Sequence, residues 1–425
     1  MLFEEAFAEL EARSESRIVP GLERIEALVE LLGDPQDTHP SIHVAGTNGK
    51  TTTSRLVAAL GCSHGLTTGL YTSPHLLSVT ERFEVCGAPI SGEAFAEQYE
   101  RLLPVLELVD ARGESVTYFE VLTALAFLWF ADLPVGLGVY EVGMGGRWDA
   151  TNVVAADVGV ICPVALDHAE LGSTVAEVAG EKAGIVKPGK VVICREQSPE
   201  AMAVIEARSK EVGARLLLEG RDFSLEERLQ AIGGQSLTMR TPQATFEDVH
   251  LSLFGAHAAR NAAAAVAAFE ALLDRPLSDD AVREAFGNAR SPGRLEVVAR
   301  HPLLVLDGAH NPAGTEALVA ALPDSFRWER LHLVVTVSAD KDVAGILGPL
   351  ASVADRAYAA RNESARSADA ALVAATLAQL EVRVETFGSV AAALRAARVS
   401  AGGDDLILVT GSLYTVADAR RELEV

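Results

Sequence analysis

The chain has 425 residues, with 36 Lys and Arg against 59 Asp and Glu, which gives a formal net charge of -23. So acidic a chain is a poor partner for nucleic acid or for an anionic membrane surface, because both select clustered basic residues. The length predicts two or three domains, and the apolar content of 49% excludes a disordered chain.

Apolar runs and cysteines bear on the location of the protein. The longest strongly apolar stretch, residues 121–131, is shorter than the roughly 20 residues that a membrane span needs. Residues 1–10 lack the basic region of a signal peptide. The four cysteines are Cys62, Cys86, Cys162 and Cys194. They form no Cys-x-x-Cys pair, so neither a disulfide scaffold nor a zinc ribbon is predicted, and we expect a soluble cytoplasmic protein in a reducing compartment.

In the first 220 residues, helical and strand patterns alternate. Helical spacing of apolar residues predicts helices over 2–13, 21–32, 51–60, 92–111, 117–131, 174–186 and 199–212. Short apolar runs predict strands over 41–45, 70–72, 135–142, 158–162, 190–194 and 214–218, with a hairpin over 82–90. This alternation predicts a mainly parallel α/β sheet.

The pattern changes in the second half. Short β-like pieces over 220–253 precede predicted helices over 256–273 and 278–287. After Ser291-Pro292-Gly293, a second series begins, with strands near 295–299, 303–307, 331–337, 382–386 and 405–409 and helices between them. The predicted fold class is therefore α/β. We expect a P-loop-type N-terminal domain over residues 1–293 and a smaller Rossmann-like domain over residues 294–425.

Residues 46–52, Gly-Thr-Asn-Gly-Lys-Thr-Thr, lie between a predicted strand and a predicted helix. A glycine turn at a helix N-terminus offers backbone N–H donors and the positive end of the helix dipole, so phosphate is favoured there. Lys50 would reach the terminal phosphates, and Thr51 would ligate Mg²⁺. The strict G-x-x-x-x-G-K-[ST] pattern fails by one residue at Val44. An ordinary glycine turn is the alternative.

Further candidates follow other predicted strands. Glu141 ends an apolar run, and Asp167-His168 follow the strand that ends at Cys162. The carboxyl ends of parallel strands share the edge where α/β sheets bind ligands, so Glu141 can hold Mg²⁺ opposite the phosphate loop. A solvated strand-end acid and a structural histidine are the alternatives. Only six of the 36 basic residues are lysines, so Lys182 raises the question of what Arg could not do there.

Several motifs occur in a fixed order along the chain. They are GTNGKTT at 46–52, TSPHL at 72–76, EVGMGGRWDATN at 141–152, Asp167-His168, EKAGI at 181–185, SPGRLE at 291–296, DGAHNP at 307–312 and GSLY at 411–414. Together they resemble the folylpolyglutamate synthase/dihydrofolate synthase family, a branch of the Mur-type ligases, over nearly the whole chain. Many members of that family have Gly-Ser where this chain has Thr51-Thr52.

The resemblance implies an ATP-dependent ligase that adds L-glutamate to dihydropteroate, to the glutamate tail of (tetrahydro)folate, or to both. A substrate carboxylate attacks the γ-phosphate of ATP, and the amine of glutamate then attacks the acyl phosphate. ADP and phosphate are the other products. Such chemistry needs Mg²⁺, alignment of the carboxylate and exclusion of water. The implied partners are these small molecules, and a monomer is expected.

The resemblance also implies residue roles. It places one Mg²⁺ near Thr51, Ser73 and Glu141. A second would lie near His168 and Lys182, whose side chain would be carbamylated to supply an anionic oxygen, a reaction that arginine cannot undergo. The implied ATP-binding residues are Asn48, Gly49, Lys50, Thr51, Thr52, Asn261, Arg294 and Asp307. The catalytic candidates are Lys50, His168 and Lys182, the folate candidates Ser73 and His75, and the glutamate candidates His310 and Ser412.

Two other functions are weighed against this one. A Mur-type ligase acting on a UDP-linked cell-wall precursor is disfavoured by SPHL and DGAHNP, and by the start of the phosphate loop at residue 46, which leaves no obvious uridine-binding domain before it. A P-loop switch NTPase that binds a protein partner usually needs a water-positioning residue and an arginine finger, and neither is recognisable in the sequence.

Overall fold

The structure is a computed structural model, and it describes residues 1–13, 19–113, 115–167 and 169–425. His168, a predicted metal ligand and catalytic residue, lies outside the described residues. In the described part of the chain, no helix is long and apolar enough to cross a membrane.

The helices of the described ranges begin and end as follows: α1 Phe3–Glu11, α2 Glu23–Leu31, α3 Lys50–Ser63, α4 Gly92–Asp110, α5 Tyr118–Asp132, α6 Val175–Lys182, α7 Pro199–Glu211, α8 Ala256–Leu273, α9 Asp279–Gly287, α10 Pro312–Ser325, α11 Val343–Ala351, α12 Ala370–Gln379, α13 Val390–Ser400 and α14 Leu413–Leu423.

The strands are β1 Ser41–Ala45, β2 Thr68–Tyr71, β3 Phe83–Val85, β4 Ala88–Pro89, β5 Leu137–Glu141, β6 Val158–Ile161, β7 Val191–Cys194, β8 Arg215–Leu218, β9 Ser224–Ala231, β10 Gly234–Arg240, β11 Thr245–Leu251, β12 Glu296–Arg300, β13 Leu303–Leu306, β14 Leu331–Val335, β15 Arg356–Ala359, β16 Arg383–Thr386 and β17 Leu406–Thr410.

The described chain divides into two compact units. The first contains 1–227, 237–250 and 260–289, and the second contains 228–236, 251–259 and 290–425. The functional division predicted at residue 293 stays a prediction. Each unit contains its own mainly parallel sheet, as the predicted α/β fold class requires.

The sheet of the first unit has the strand order β4-β3-β2-β5-β1-β6-β7-β8. Pairing is parallel from β2 to β8, and only the β2–β3 and β3–β4 pairs of this sheet, as described, are antiparallel. β1 lies between β5 and β6, so the segments that leave these three strands start at one edge. In open α/β sheets, this carboxyl edge is where ligands bind.

Helix α5 shows how the sequence determines the packing against this sheet. Its side chains are apolar on every face, which is typical of a helix buried all round. Thr117 caps its first turn by accepting a hydrogen bond from the backbone N–H of Glu120. Phe127 and Phe130 of the helix pack their rings on Tyr140 of β5, with ring centroids 5.2 and 5.9 Å apart. This packing stabilises one face of the sheet and the strand that ends in Glu141.

The second unit contains a sheet with the order β12-β13-β17-β14-β15-β16. The β12–β13 pair is antiparallel, and the other pairs are parallel. β15 was not predicted, because its residues Arg356–Ala359 have little of the β-branched and aromatic character that marks a strand. Its neighbours β14 and β16 determine its conformation. Strands β9, β10 and β11 form a separate three-stranded sheet.

The sequence predicts no disulfide scaffold, but two of the four cysteines are paired. Cys62, near the end of α3, and Cys86, in the turn between β3 and β4, form a disulfide with a Cα–Cα distance of 5.7 Å. The backbone N–H of Cys86 donates to the carbonyl of Thr68, which brings the turn beside β2 and the end of α3. Sequence spacing could not reveal the pair, because the tertiary structure brings the two residues together. Cys162 and Cys194 are buried free thiols.

Candidate active site

The loop between β1 and α3 has the geometry of a phosphate-binding loop. Lys50 opens α3, and Gly49 precedes it with a φ of 91°, a left-handed conformation that glycine adopts without strain. Thr47 anchors the loop, because its backbone N–H donates to the carbonyl of Pro163 and its hydroxyl donates to the carbonyl of Ala165. The first backbone N–H groups of α3 and the Lys50 ammonium are therefore held at the carboxyl edge of the sheet.

The structure explains why the strict phosphate-loop pattern fails at Val44. This residue is buried inside β1 and pairs with Glu141 on one side and Val160 on the other. The loop proper begins at Gly46, where a Cβ would come within 2.5 Å of the Cys162 Cβ. Position 44 thus belongs to the strand, and a β-branched side chain suits it.

Glu141 and Thr51 are brought together as predicted. The Thr51 hydroxyl donates to Glu141 Oε1 at 2.8 Å, and the backbone N–H of Ser73 lies 3.4 Å from Oε2. The carboxyl group of Glu141 is buried, with 1% of the residue exposed. A buried carboxylate beside two hydroxyl-bearing residues is a set of hard oxygen donors, which suits Mg²⁺.

Lys182 reaches the same loop from the end of α6. Its ammonium donates to the carbonyl of Gly46 at 2.9 Å, and Lys50 donates to the same oxygen at 3.1 Å. Burial, assisted by the positive charge of Lys50, lowers the pKa of Lys182 to about 7. A substantial fraction of its amine is therefore neutral near pH 7, and a neutral amine is the form that can react with CO₂.

The amide of Asn261 lies against the phosphate loop. A Cβ on Gly49 would come within 2.9 Å of its Oδ1 and 3.0 Å of its Nδ2. Arg195 Nη1 donates to Asn261 Oδ1, and both residues are buried, with 3% and 2% of their surfaces exposed. Asn261 was predicted to contact ATP, whereas Arg195 was missed. Its position directly after β7 is the signal that could have found it.

In the second unit, Asp307 and Arg294 lie close together. The carboxylate of Asp307 accepts backbone N–H bonds from Leu295 and Ala309 at 2.9 and 2.8 Å. A Cβ on Gly308 would come within 2.4 Å of Arg294 Nη1, so this glycine lets the guanidinium approach the segment after β13.

The remaining candidates have local partners. His310 Nδ1 lies 2.8 Å from the carbonyl of Gly308, and the buried Ser412 caps α14 by accepting from the backbone N–H of Tyr414. His75 Nδ1 accepts from Nε of the buried Arg82 at 2.9 Å. Asn48 and Thr52 lie in the loop and in the first turn of α3.

Within the described ranges, no cluster of three or more His, Cys, Asp or Glu side chains is arranged to hold a metal ion. The predicted first Mg²⁺ site consists of Thr51, Ser73 and Glu141. Because two of these three residues are hydroxyl residues, the site would not form a cluster of this kind. The second site includes His168, which lies outside the described residues. Both sites therefore stay predictions.

Known proteins identify the family of this chain. The Mur ligase middle domain matches residues 44–269, and the glutamate ligase domain of Mur ligases matches residues 293–413. The dihydrofolate synthase/folylpolyglutamate synthase of Mycobacterium tuberculosis is 41% identical over 440 residues, which cover 96% of this chain and 90% of that relative. The chain belongs to the dihydrofolate synthase/folylpolyglutamate synthase family of Mur ligases.

Solved structures agree with this family. Mycobacterium tuberculosis folylpolyglutamate synthase complexed with ADP is 40% identical, with a TM-score of 0.95 over 99% of this chain and 97% of that one. The bifunctional folylpolyglutamate synthase/dihydrofolate synthase with Mn, AMPPNP and L-glutamate bound is 32% identical, with a TM-score of 0.87 over 100% of this chain and 98% of that one. A similar complex with AMPPNP and Mn ion comes from Yersinia pestis. The predicted family and the predicted α/β fold are confirmed.

Proposed function

We propose that this protein is an ATP-dependent ligase that adds L-glutamate both to dihydropteroate and to the glutamate tail of folates. The observation that carries the proposal is the likeness, over the whole chain, to folylpolyglutamate synthases that bind ADP. The phosphate loop with Glu141 beside Thr51 is consistent with it. Neither a cell-wall precursor ligase nor a switch NTPase has a comparable observation in its favour.

The reaction has two steps. A carboxylate oxygen of the pterin substrate bonds to the γ-phosphorus of ATP while the bond from that phosphorus to the ADP oxygen breaks. The glutamate amine then bonds to the acyl carbon, phosphate leaves with the acyl C–O electron pair, and the amine loses a proton. Lys50 and the N–H groups at the start of α3 stabilise the negative charge on the phosphates.

A divalent cation such as Mg²⁺ would be held by Thr51, Ser73 and Glu141, and would neutralise charge on the transferring phosphoryl group. The donor set supports this role, because Glu141 is buried and already faces the Thr51 hydroxyl. Asn48, Gly49 and Thr52 are proposed to complete the phosphate contacts. Asn261 is proposed for the base, with Arg294 and Asp307 as further ATP contacts.

Lys182 is proposed to act as a carbamate near a second Mg²⁺, together with His168. Its ammonium would first lose a proton; the neutral amine would then bond to the carbon of CO₂ and lose a second proton, so that a positive side chain becomes a negative one. Burial supports this, because it lowers the pKa of Lys182 to about 7. Ser73 and His75 are proposed at the folate, and His310 and Ser412 at the incoming glutamate. We also propose a cytoplasmic monomer.

Product formation tests the function. The purified protein is incubated with ATP alone, with ATP and dihydropteroate, and with ATP, dihydropteroate and glutamate. The two incubations that contain dihydropteroate are then repeated with tetrahydrofolate in its place. We expect phosphate release only when glutamate and a pterin acceptor are both present, and mass spectrometry should find one added glutamyl group on each acceptor. Equal phosphate release with ATP alone would favour a switch NTPase. Turnover with only a UDP-linked muramyl precursor would favour the cell-wall ligase.

A further inference from the structure

The buried guanidinium of Arg195 contacts the side-chain amide of Asn261, which is proposed to bind the base of ATP. Arg195 follows β7 directly, so it starts at the same sheet edge as the phosphate loop. Its Nη1 donates to Asn261 Oδ1, and its Nε donates to Glu219 Oε2 at 2.8 Å. Arg195 is buried inside the first unit. Burying a charged side chain costs free energy, so a specific function is needed to offset that cost.

Arg195 is itself held in place by a charged network. Glu219 accepts from Arg195, from Arg260 Nε at 2.6 Å and from the backbone N–H of Glu196 at 2.8 Å. Burial alone would raise the pKa of Glu219, but Arg195 and these hydrogen bonds outweigh it and lower that pKa. The carboxylate is therefore ionised near neutral pH, and it fixes the position of the guanidinium.

The guanidinium determines which way the Asn261 amide faces. Arginine has only donors, so the amide atom that meets it must be the acceptor Oδ1. If the amide were turned over, its NH₂ group would face the N–H groups of Arg195 without any acceptor between them, a costly buried arrangement. The hydrogens on Nδ2 are then the group that Asn261 offers to an acceptor on a ligand at the phosphate loop.

We propose that Arg195 is a positioning residue for the nucleotide, which acts by holding the Asn261 amide in the orientation that donates a hydrogen bond to an acceptor of ATP or ADP. This inference rests on the proposed function for the identity of the ligand as an adenine nucleotide. The contacts that carry it are independent of that function, because they are the Arg195–Asn261 bond and the closeness of the amide to Gly49.

ADP binding, measured by calorimetry with Mg²⁺ present, tests the proposal. Arg195→Lys keeps a positive charge for Glu219 but lacks the rigid fork that reaches Asn261. We expect its Kd for ADP to rise about tenfold, with the KM for ATP rising similarly and kcat changing by less than about twofold. Arg24→Lys is the matched control, since Arg24 is a largely buried arginine of the same unit that pairs with a different glutamate, Glu120, at 3.1 Å. It should bind ADP as the wild type does.

A double-mutant cycle separates positioning from general damage. In an Asn261→Ala background, Arg195→Lys should have little further effect on the ADP Kd, because the amide that it positions is gone. Fully additive effects, or an unchanged Kd in Arg195→Lys, would overturn the inference. If wild-type protein bound no ADP at all, the proposed function would fail first, which distinguishes the two failures.

A crystal structure of the wild-type protein with ADP tests the same point without any substitution that could impair folding. We expect Arg195 to stay on Asn261 Oδ1 and Nδ2 to lie within hydrogen-bond distance of an acceptor on the nucleotide. An Arg195 side chain that turns away to contact a phosphate, or an Asn261 amide that does not touch the nucleotide, would overturn the proposal.

Discussion

Glu141 has the most direct predicted role among the side chains of the phosphate loop and its neighbours. It is buried, it ends β5, and it accepts from Thr51. We expect Glu141→Gln to lower kcat by about 100-fold or more at saturating Mg²⁺, because a neutral amide neutralises a cation poorly and phosphoryl transfer depends on that charge. Steady-state kinetics check this expectation.

Glu84→Gln provides the control for Glu141→Gln. Glu84 is a partly buried acid of the same sheet, and it pairs with Arg55 at 2.8 Å. Its neutral variant should keep nearly normal turnover, and both variants should keep the far-ultraviolet circular dichroism of the wild type. Wild-type turnover in Glu141→Gln would show that this side chain is not a metal ligand.

Lys182 provides the second residue-scale prediction. We expect Lys182→Arg to be nearly inactive although it keeps the charge, because a guanidinium cannot form a carbamate. Lys182→Ala should also be inactive, with part of the rate restored by formate or acetate, which can place a carboxylate in the vacant volume. Lys190→Arg is the control, since Lys190 forms a half-exposed ion pair with Asp157. Normal turnover in Lys182→Arg would contradict the carbamate.

The lowered pKa of Lys182 also predicts how stability depends on pH. Between about pH 7 and 10 the unfolded chain keeps a proton on this lysine that the folded protein has lost, so this group makes the free energy of unfolding rise with pH. We expect Lys182→Met to be more stable than the wild type at pH 6, and the difference to shrink by pH 9. Urea unfolding in metal-free buffer purged of CO₂ measures it. A difference that does not change with pH would contradict the assignment.

At the scale of elements, the disulfide joins α3 to the β3–β4 turn. Closing a loop with a sequence separation of 24 residues should stabilise the first unit by about 3 kcal/mol. Protein purified without reductant should show two titratable thiols after denaturation, from Cys162 and Cys194, and four after reduction. Its melting temperature should fall by several degrees on reduction.

The variant Cys62→Ser distinguishes the effect of breaking the disulfide from other effects of the reductant. In this variant, reduction should leave the melting temperature unchanged, whereas Cys194→Ser, which removes a buried free thiol, should keep the response of the wild type. Four thiols in the protein before reduction would contradict the disulfide.

At the scale of the whole molecule, a chain of net charge -23 must bind an anionic nucleotide. Local positive groups make this possible, because Lys50 and the N-terminus of α3 meet at one loop. We expect ADP with Mg²⁺, at 100 times its Kd, to raise the free energy of unfolding by about 2.7 kcal/mol. Thermal unfolding followed by calorimetry measures the shift.

Lys50→Ala is the matched variant for this measurement. It removes one ammonium from the loop and should lose most of the ADP-induced shift at the same nucleotide concentration, while its melting temperature without nucleotide stays close to that of the wild type. An equal shift in both proteins would mean that nucleotide binds elsewhere.

Much of the fold was predictable because its signals are local. Periods of 2 and 3.6 residues located most strands and helices. The same holds for the phosphate loop, where glycines and Lys50 are contiguous in sequence. β15 was missed because the signal for its four residues comes from neighbouring strands instead of from their own side chains.

The sequence by itself determined the α/β class, the family, the phosphate loop and the acid at the end of β5, because each is written in contiguous residues. Only the tertiary structure decided which distant residues meet. Arg195 and Asn261 are 66 residues apart, and Cys62 and Cys86 are 24 apart. These pairs depend on the strand order of the sheet and on buried contacts between elements, which no local pattern encodes.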